Sequence, residues 1–129
     1  MGMCIAQAVA GIKMTIQMYH NPNCTKSRLT LALLEEKGVD FELIEYLKNP
    51  PTAAELEVIL QKLGKAPLEF MRTGEAEFKQ HIQGQDLSRA AMIDVMVAYP
   101  KLIERPVVVN GDKAAVGRPP ELVLPVLEA

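Results

Sequence analysis

The sequence has few of the residues that build disulfide frameworks and metal centres. Its 129 residues include two cysteines, Cys4 and Cys24, and two histidines, His20 and His81. The spacing of these four residues matches no zinc-binding pattern, so we expect no metal ion. With no evident secretory context, two cysteines indicate free thiols in a reducing compartment rather than a disulfide.

Long hydrophobic runs and an excess of positive charge are also missing. The apolar stretch at residues 4–12 is too short to span a bilayer and has no basic segment before it, which argues against a signal peptide. The formal net charge of −2 argues against a general nucleic-acid binder, which is normally basic. We therefore expect a cytoplasmic protein that binds neither membranes nor nucleic acid.

The length and the apolar content fit one compact domain. Hydrophobic residues make up 49% of the chain, which is enough to form a core. Met14 directly precedes the first convincing strand pattern. We therefore interpret residues 1–13 as a dispensable N-terminal extension and residues 14–129 as the domain.

The first part of the domain predicts a strand, a helix and a second strand. Residues 15–19 alternate in polarity as a strand does, and residues 41–46 predict a second strand parallel to the first. Residues 24–37 predict a helix between them, with Gly38 as a left-handed cap. The apolar stripe of that helix is expected to contain Leu29, Ala32 and Leu33, broadened by Leu31 and Leu34.

The middle of the chain is predicted to be helical. Thr52 and Glu55 have the spacing of a capping box, and Gly64 ends the helix that they start. Residues 73–86 predict a short helix and loop. A further helix begins near Ser88, and its expected buried face consists of Met92, Val95, Met96 and Tyr99.

A hairpin and a last helix complete the pattern. Residues 106–116 predict two strands joined by a type I′ turn at Asn110 and Gly111. Residues 118–121 open the last helix, and Pro125 should end or kink it. The order βαβ, helices, ββα predicts an α/β fold of thioredoxin-like type, with a helical insertion and a four-stranded mixed sheet.

Cys24 lies where the first predicted strand gives way to the first predicted helix. Free backbone N–H groups and the positive end of the helix dipole stabilise a thiolate at that position. Lys26 and Arg28 add positive charge, so we expect the pKa of Cys24 to fall below the value of about 8.5 of a free cysteine. The alternative is an inert cysteine buried at a helix start. The strand, the turn and the basic neighbours together favour the reactive thiol.

Ser27 takes the place of the second thiol of a CxxC pair. We expect its hydroxyl to donate a hydrogen bond to the Cys24 thiolate. Because serine cannot form a disulfide, the thiol that resolves an intermediate on Cys24 must come from outside the motif. His20 could tune the thiolate or shape the loop, or it could simply bond backbone groups at the end of the strand. Cys4 has no basic neighbour, and we expect no redox role for it.

Two arginines flank the predicted hairpin. Arg105 precedes Pro106 at its start, and Arg118 follows its end. In a thioredoxin-like topology both places lie close to the start of the first helix, and the bond between Arg105 and Pro106 is a candidate for the cis form. A guanidinium fork suits a tetrahedral oxyanion, so the arrangement predicts an anion pocket beside the thiolate.

The alternative interpretation of the arginines is a set of surface residues in weak ion pairs. We favour it for Arg89, which lies on the polar side of its predicted helix. Spacing alone decides nothing for Arg72. From the residues themselves we predict only a thiolate with an anion pocket.

Five motifs carry a resemblance to a known family. They are residues 20–28 (HNPNCTKSR), 46–51 (YLKNPP), 70–72 (FMR), 103–109 (IERPVVV) and 117–121 (GRPPE). In this order they resemble the glutaredoxin-dependent ArsC-type arsenate reductases, and the likeness runs from about residue 15 to residue 127.

The resemblance implies a set of residue roles and a reaction. Cys24 is the nucleophile; Arg72, Arg105 and Arg118 surround the oxyanion beside its sulfur; His20 influences the thiol, which Ser27 supports on the spacing argument above. Arsenate is implied as the substrate, which forms a thiol–arsenate adduct on Cys24. Glutathione and glutaredoxin are the implied reductants, with glutathione as a co-substrate and no tightly bound cofactor.

Two other functions remain open on the same fold. One is a glutathione-dependent thiol reductase that acts on a different substrate. The other is a regulator of the Spx type, which binds RNA polymerase and often carries a CxxC redox switch. Ser27 in the second position argues against the regulator, and the three arginines favour oxyanion chemistry over both alternatives.

Overall fold

A computed structural model describes residues 16–128, and the predicted extension with Cys4 lies outside this range, as does Met14. The strands are β1 (Ile16–His20), β2 (Phe41–Glu45), β3 (Val107–Asn110) and β4 (Lys113–Val116). They form one sheet in the order β2-β1-β3-β4. β1 pairs parallel with β2 and antiparallel with β3, which pairs antiparallel with β4. The predicted α/β fold with a four-stranded mixed sheet is confirmed.

Helices fill the connections in the predicted order. The α-helices are α1 (Thr25–Lys37), α2 (Ala53–Leu63), α3 (Ala76–His81), α4 (Arg89–Ala98) and α5 (Leu124–Leu127). Short 3-10 helices occupy Pro67–Phe70, Pro100–Leu102 and Pro120–Val123. The helical section between β2 and β3 is the predicted insertion.

Both faces of the sheet are covered by apolar residues. On β1, Met18 faces one core and Tyr19 faces the other, as the two-residue period of a strand requires. The first core lies against α2, α4 and the segment before β3, and the second lies against α1 and α5. β3 is buried along its whole length because it is central and covered on both faces.

The predicted caps of the helices are confirmed. Thr52 forms a capping box at the start of α2, and Ser88 accepts a backbone hydrogen bond at the start of α4. Gly38 and Gly64 end α1 and α2 with a φ of 69° each. The predicted last helix is instead a 3-10 turn followed by α5, and Pro125 lies in the first turn of α5, where it removes no internal hydrogen bond.

The buried face of α1 differs from the predicted stripe. Leu29 is 51% exposed and Ala32 is also exposed. Leu34 is buried, but the other buried members are the polar residues Ser27 and Thr30. Thr30 Oγ1 donates to the carbonyl four residues earlier at 2.9 Å, so its hydroxyl stays paired away from water. The prediction holds for Leu34 and for the half-buried Leu31 and Leu33. It was wrong for Leu29 and Ala32 because it assumed that only apolar residues face the interior.

The predicted face of α4 is right for three residues and wrong for one. Met92 and Val95 are half-buried and Met96 is fully buried, whereas Tyr99 is 37% exposed. The helix ends at Ala98, so Tyr99 is its C-cap and no longer follows the helical period. Its ring stacks on His81 with centroids 4.4 Å apart.

The hairpin turn is displaced by one residue from its predicted position. Asn110 still pairs with Lys113 in the ladder, so the two loop residues are Gly111 and Asp112. The buried Asn110 side chain donates to the Val126 carbonyl at 2.9 Å. This bond ties β3 to α5, and it explains why asparagine stands at the end of the strand instead of in the turn.

Gly117 allows the end of β4 to pack closely against α1. Its N–H donates to the Pro106 carbonyl at 2.9 Å. A Cβ atom at this position would lie 2.5 Å from Thr30 Oγ1 and 2.9 Å from Pro106 Cγ. The missing side chain therefore sets the distance between the hairpin and the helix that begins at Cys24.

Replacing Gly117 by alanine should destabilise the protein. The methyl group would force the hairpin and α1 apart, and overpacking of this kind costs about 1–3 kcal/mol of unfolding free energy. Chemical denaturation of Gly117→Ala against the parent protein measures the loss.

Gly74→Ala is the matched control, since a Cβ there meets no atom within 4 Å. It should leave the midpoint of denaturation nearly unchanged. An equal loss in both variants would mean that the close approach at Gly117 has no special weight.

Candidate active site

Cys24 is the N-cap of α1, at the end of the loop that leaves β1. Its backbone is extended, with φ −103° and ψ 124°. The loop is closed by two bonds to Asn21: the Cys24 N–H donates to its carbonyl at 3.0 Å, and the Asn23 N–H donates to its Oδ1 at 2.9 Å. The cysteine is 8% exposed. Its sulfur therefore lies nearly buried, in front of the unpaired N–H groups of a 13-residue helix.

Opposing effects act on the pKa of the Cys24 thiol. Burial raises it, because a charged sulfur loses the stabilisation of water. The backbone N–H of Ser27, the Arg105 side chain and the backbone N–H of Lys26 favour the charged sulfur and so lower the pKa of Cys24. The net result is a pKa of Cys24 below its ordinary value, the direction that the sequence predicts.

The Ser27 hydroxyl bonds to His20 rather than to the thiol. Its Oγ lies 2.7 Å from His20 Nδ1 and accepts the Asn21 N–H at 3.0 Å. The expectation that this hydroxyl donates to Cys24 is therefore wrong, and the backbone N–H of Ser27 takes that role. The hydroxyl instead fixes the end of β1 against the first turn of α1.

His20 is buried and has no direct bond to Cys24. Burial lowers its pKa, and the charge of Arg28 lowers it further, while Glu45 acts in the opposite direction. A neutral ring is therefore favoured at neutral pH. Of the two interpretations left open for His20, this geometry favours the one in which it shapes the loop, through Ser27.

The basic residues next to Cys24 in sequence do not turn toward its sulfur. Arg28 Nη1 donates to the Pro22 carbonyl at 3.0 Å and so braces the loop from outside. Lys26 acts on the thiol through its backbone N–H. The side-chain charge that lowers the pKa of Cys24 comes from Arg105, far away in sequence.

Arg105 and Arg118 come together beside the thiol. Arg118 Nη1 lies 4.0 Å from Cys24 Sγ and donates to the Arg105 carbonyl at 3.2 Å. The positive charge of the Arg105 guanidinium lowers the pKa of the Cys24 thiol. The peptide bonds of both arginines to the following prolines, Pro106 and Pro119, are cis. The first was predicted and the second was not.

Arg72 lies at the edge of this group. An antiparallel bridge joins Met71 to Ile103, and the Arg72 N–H donates to the Leu102 carbonyl at 2.7 Å. These bonds place Arg72 on a segment next to the one that carries Arg105. Its side chain, however, pairs with Glu75 at 3.1 Å rather than with the Cys24 sulfur. Of the three arginines predicted to converge, Arg118 contacts the sulfur, Arg105 acts on its pKa, and Arg72 is paired with Glu75.

Arg89 points elsewhere, as predicted. Its guanidinium makes two hydrogen bonds to the Glu57 carboxylate, at 2.9 and 2.7 Å. Both side chains are partly exposed. This pair links α4 to α2 and takes no part in the site.

Tyr46 belongs to the site, although the sequence analysis gave it no functional role. It is 1% exposed, and the charges that act on its hydroxyl come from Arg105, Arg72 and Cys24. In the sequence it ends the strand predicted at residues 41–46 and begins one of the five motifs. The signal that could have found it is the parallel pairing of β1 and β2, which brings the residue after β2 next to the loop after β1.

Two further observations limit the chemistry. Between residues 16 and 128, no group of three or more His, Cys, Asp or Glu side chains is arranged to hold a metal ion. In the same part of the chain no helix is long and apolar enough to cross a membrane. What the site offers is one activated thiol, its helix N–H groups and a cluster of guanidinium groups.

Comparisons with known proteins agree with this arrangement. An arsenate reductase from Haemophilus influenzae is 45% identical over 116 residues, which cover 88% of this chain and all of the relative. The YfgD protein of Escherichia coli, which is described as uncharacterized, is 46% identical over 114 residues, covering 87% and 96%. The solved structure of an arsenate reductase from Vibrio cholerae superposes with a TM-score of 0.84 at 45% identity, covering 88% of this chain and 98% of that one.

The family assignment follows from the same region. The model of the ArsC family matches residues 19–126, a range that contains Cys24 and all three arginines of the site. The solved ArsC-type structures share the thioredoxin-like fold seen here. This chain is a member of the ArsC family.

Proposed function

We propose that this protein is an arsenate reductase that uses the Cys24 thiolate as its nucleophile. The observation that carries the proposal is the meeting of Arg105 and Arg118 at the sulfur of a cysteine whose pKa is lowered. Guanidinium groups beside a thiolate offset the repulsion that an approaching anion would feel, and they hold a tetrahedral oxyanion in place. Relatives named as arsenate reductases support the choice of arsenate.

The proposed reaction begins on the sulfur of Cys24. The thiolate bonds to arsenic, and one arsenate oxygen leaves as water after it takes up protons. Arg105 and Arg118 neutralise the charge that develops on the remaining oxygens. The product of this step is a thiol–arsenate adduct in which arsenic is still pentavalent.

The reduction requires two thiols from outside, since no second cysteine lies in the CxxS motif. Glutathione bonds to arsenic through its sulfur with loss of another water. A glutaredoxin thiolate then attacks the glutathione sulfur, a mixed disulfide forms, and arsenic keeps the electron pair of the broken sulfur–arsenic bond. Hydrolysis at Cys24 releases arsenite and the thiol. We place this reaction in the cytoplasm, where such thiol donors are kept reduced.

A coupled assay tests the proposed function. Purified protein is mixed with arsenate, glutathione, glutaredoxin, glutathione reductase and NADPH, and NADPH oxidation is followed. Turnover that requires arsenate supports the proposal. Turnover of a glutathione mixed disulfide without any response to arsenate would instead indicate the thiol reductase, and binding to RNA polymerase without turnover would indicate the regulator.

Cys24→Ser should abolish turnover in this assay while the protein remains folded. Serine has nearly the same shape, but its hydroxyl is hardly ionised at neutral pH and is a weak nucleophile. Cys4→Ser is the matched control, and it should keep nearly full activity. Loss of turnover in the control would mean that Cys4 supplies the resolving thiol.

The rate of alkylation of Cys24 should report a pKa below that of a free cysteine. The helix N–H groups and Arg105 stabilise the thiolate, so the fraction of thiolate rises with pH and reaches one half at a lower pH than usual. Iodoacetamide labelling of Cys4→Ser across a pH series measures this midpoint. A midpoint at or above the ordinary value would contradict the activated thiolate.

Lysine in place of Arg105 or Arg118 should weaken the use of arsenate strongly. Lysine keeps the charge but loses the planar fork, and loss of one such contact in a desolvated site commonly lowers the rate by about a hundredfold. The measurement is kcat/KM for arsenate in the coupled assay.

Arg89→Lys is the control for this pair of variants, because Arg89 forms an ion pair away from the site. It should retain close to the parent rate. If all three lysine variants behaved alike, the arginines at Cys24 would have no particular role in binding the oxyanion.

A further inference from the structure

The Tyr46 hydroxyl is buried and makes no hydrogen bond with any atom of residues 16–128. Buried polar groups are nearly always paired, because an unpaired one loses its water without compensation. In that part of the chain the only other buried side-chain nitrogen or oxygen without a partner is Arg105 Nε. One of the two unpaired groups therefore belongs to the arginine whose charge lowers the pKa of Cys24.

The backbone brings Tyr46 to the same place. His20 and Glu45 are partners in the parallel pairing of β1 and β2. Tyr46 follows Glu45 directly, so it leaves the sheet beside Asn21, where the loop to Cys24 begins. The parallel pairing of β1 and β2 therefore places Tyr46 and the loop to Cys24 at the same edge of the sheet.

The tyrosine also shares an apolar core with the segments that carry two of the arginines. It belongs to the same core as Phe70 and Ile103, each of which precedes a site arginine by two residues. The arginines that follow Phe70 and Ile103 are Arg72 and Arg105. Tyr46 is 1% exposed, so its ring is held in place within this core.

The electrostatic surroundings of the hydroxyl are those of the site. Burial raises the pKa of Tyr46 to about 12, while Arg105 and Arg72 lower it and the Cys24 thiolate raises it. The Asn21 side chain also lowers it, although it does not reach hydrogen-bond geometry. A tyrosine with this pKa keeps its proton throughout the neutral range, so it can act there as a hydrogen-bond donor.

We propose that Tyr46 is a further substrate-contacting residue, whose hydroxyl donates a hydrogen bond to an oxygen of the tetrahedral oxyanion held beside Cys24. The proposal rests on the oxyanion site of the proposed function. In this arrangement the unpaired Tyr46 hydroxyl gains an acceptor, and the oxyanion receives one neutral donor in addition to the charged guanidinium groups.

The same arginine acts on the hydroxyl and on the thiol. Cys24 and Tyr46 are both nearly buried, and Arg105 lowers the pKa of each. The hydroxyl and the thiol therefore share the surroundings of one guanidinium group.

Tyr46→Phe tests the proposal, because it removes only the hydroxyl. Two measurements are made on the full chain: protection of Cys24 from iodoacetamide by arsenate or phosphate, and KM for arsenate in the coupled assay. We expect Tyr46→Phe to need at least about tenfold more anion than the parent protein for the same protection of Cys24. A loss of this size fits the removal of one hydrogen bond to a charged group. Tyr46 is absent from the groups that shift the pKa of Cys24, so alkylation without anion should keep its pH midpoint.

Tyr19→Phe is the matched control. Tyr19 is a second buried tyrosine of the same core, but the charges that act on it belong to Glu55 and Glu42 rather than to the site. This variant should bind the anion as the parent protein does.

Thermal unfolding separates a substrate contact from a structural role. Since the Tyr46 hydroxyl has no partner to lose, Tyr46→Phe should unfold at the parent temperature or above it. A clear drop in that temperature would indicate a structural bond and overturn the proposal, as would unchanged anion protection. If neither anion protected even the parent protein, the oxyanion site of the proposed function would itself be wrong, and the role of Tyr46 would fall with it.

Discussion

The architecture of the site depends on keeping a negatively charged sulfur in a nearly buried position. Burial by itself works against the charge, since it removes the water that would solvate a thiolate. The pKa of Cys24 is nevertheless lowered, because two backbone N–H groups of α1 and the guanidinium of Arg105 favour the charged form. These groups are already in place when the thiol ionises, so its activation depends on the helix start and on the distant arginine together.

Holding those donors in place explains several otherwise odd choices of residue. Ser27 and Thr30 occupy interior positions of α1 where leucine would be the ordinary choice. Ser27 is needed there because its hydroxyl locks His20 to the helix, and Thr30 faces Gly117, where the hairpin comes closest. Polar residues that support the site therefore occupy part of the buried face of α1, and Leu29 lies on the exposed side of the helix.

The sequence was sufficient to predict the element order, the caps and the place of Cys24, because each of these depends on neighbours within a few residues. Predictions failed where a contact between residues far apart in the sequence determines the local structure. The buried face of α1 is set by the hairpin, and the Ser27 hydroxyl is claimed by His20. The unpaired Tyr46 hydroxyl is invisible in a linear pattern, since it depends on the register of two strands. Convergence of arginines was expected from topology and the family resemblance together, yet no pattern in the sequence shows that Arg72 pairs with Glu75.

The contact between Arg118 and Cys24 joins residues 94 positions apart in the chain. During synthesis the cysteine leaves the ribosome long before either hairpin arginine exists. In that interval the sulfur lacks the guanidinium groups that help to ionise it, and it behaves more like an ordinary thiol. Full reactivity is thus tied to completion of the chain, so a truncated or half-made molecule is less exposed to oxidation at its own active cysteine.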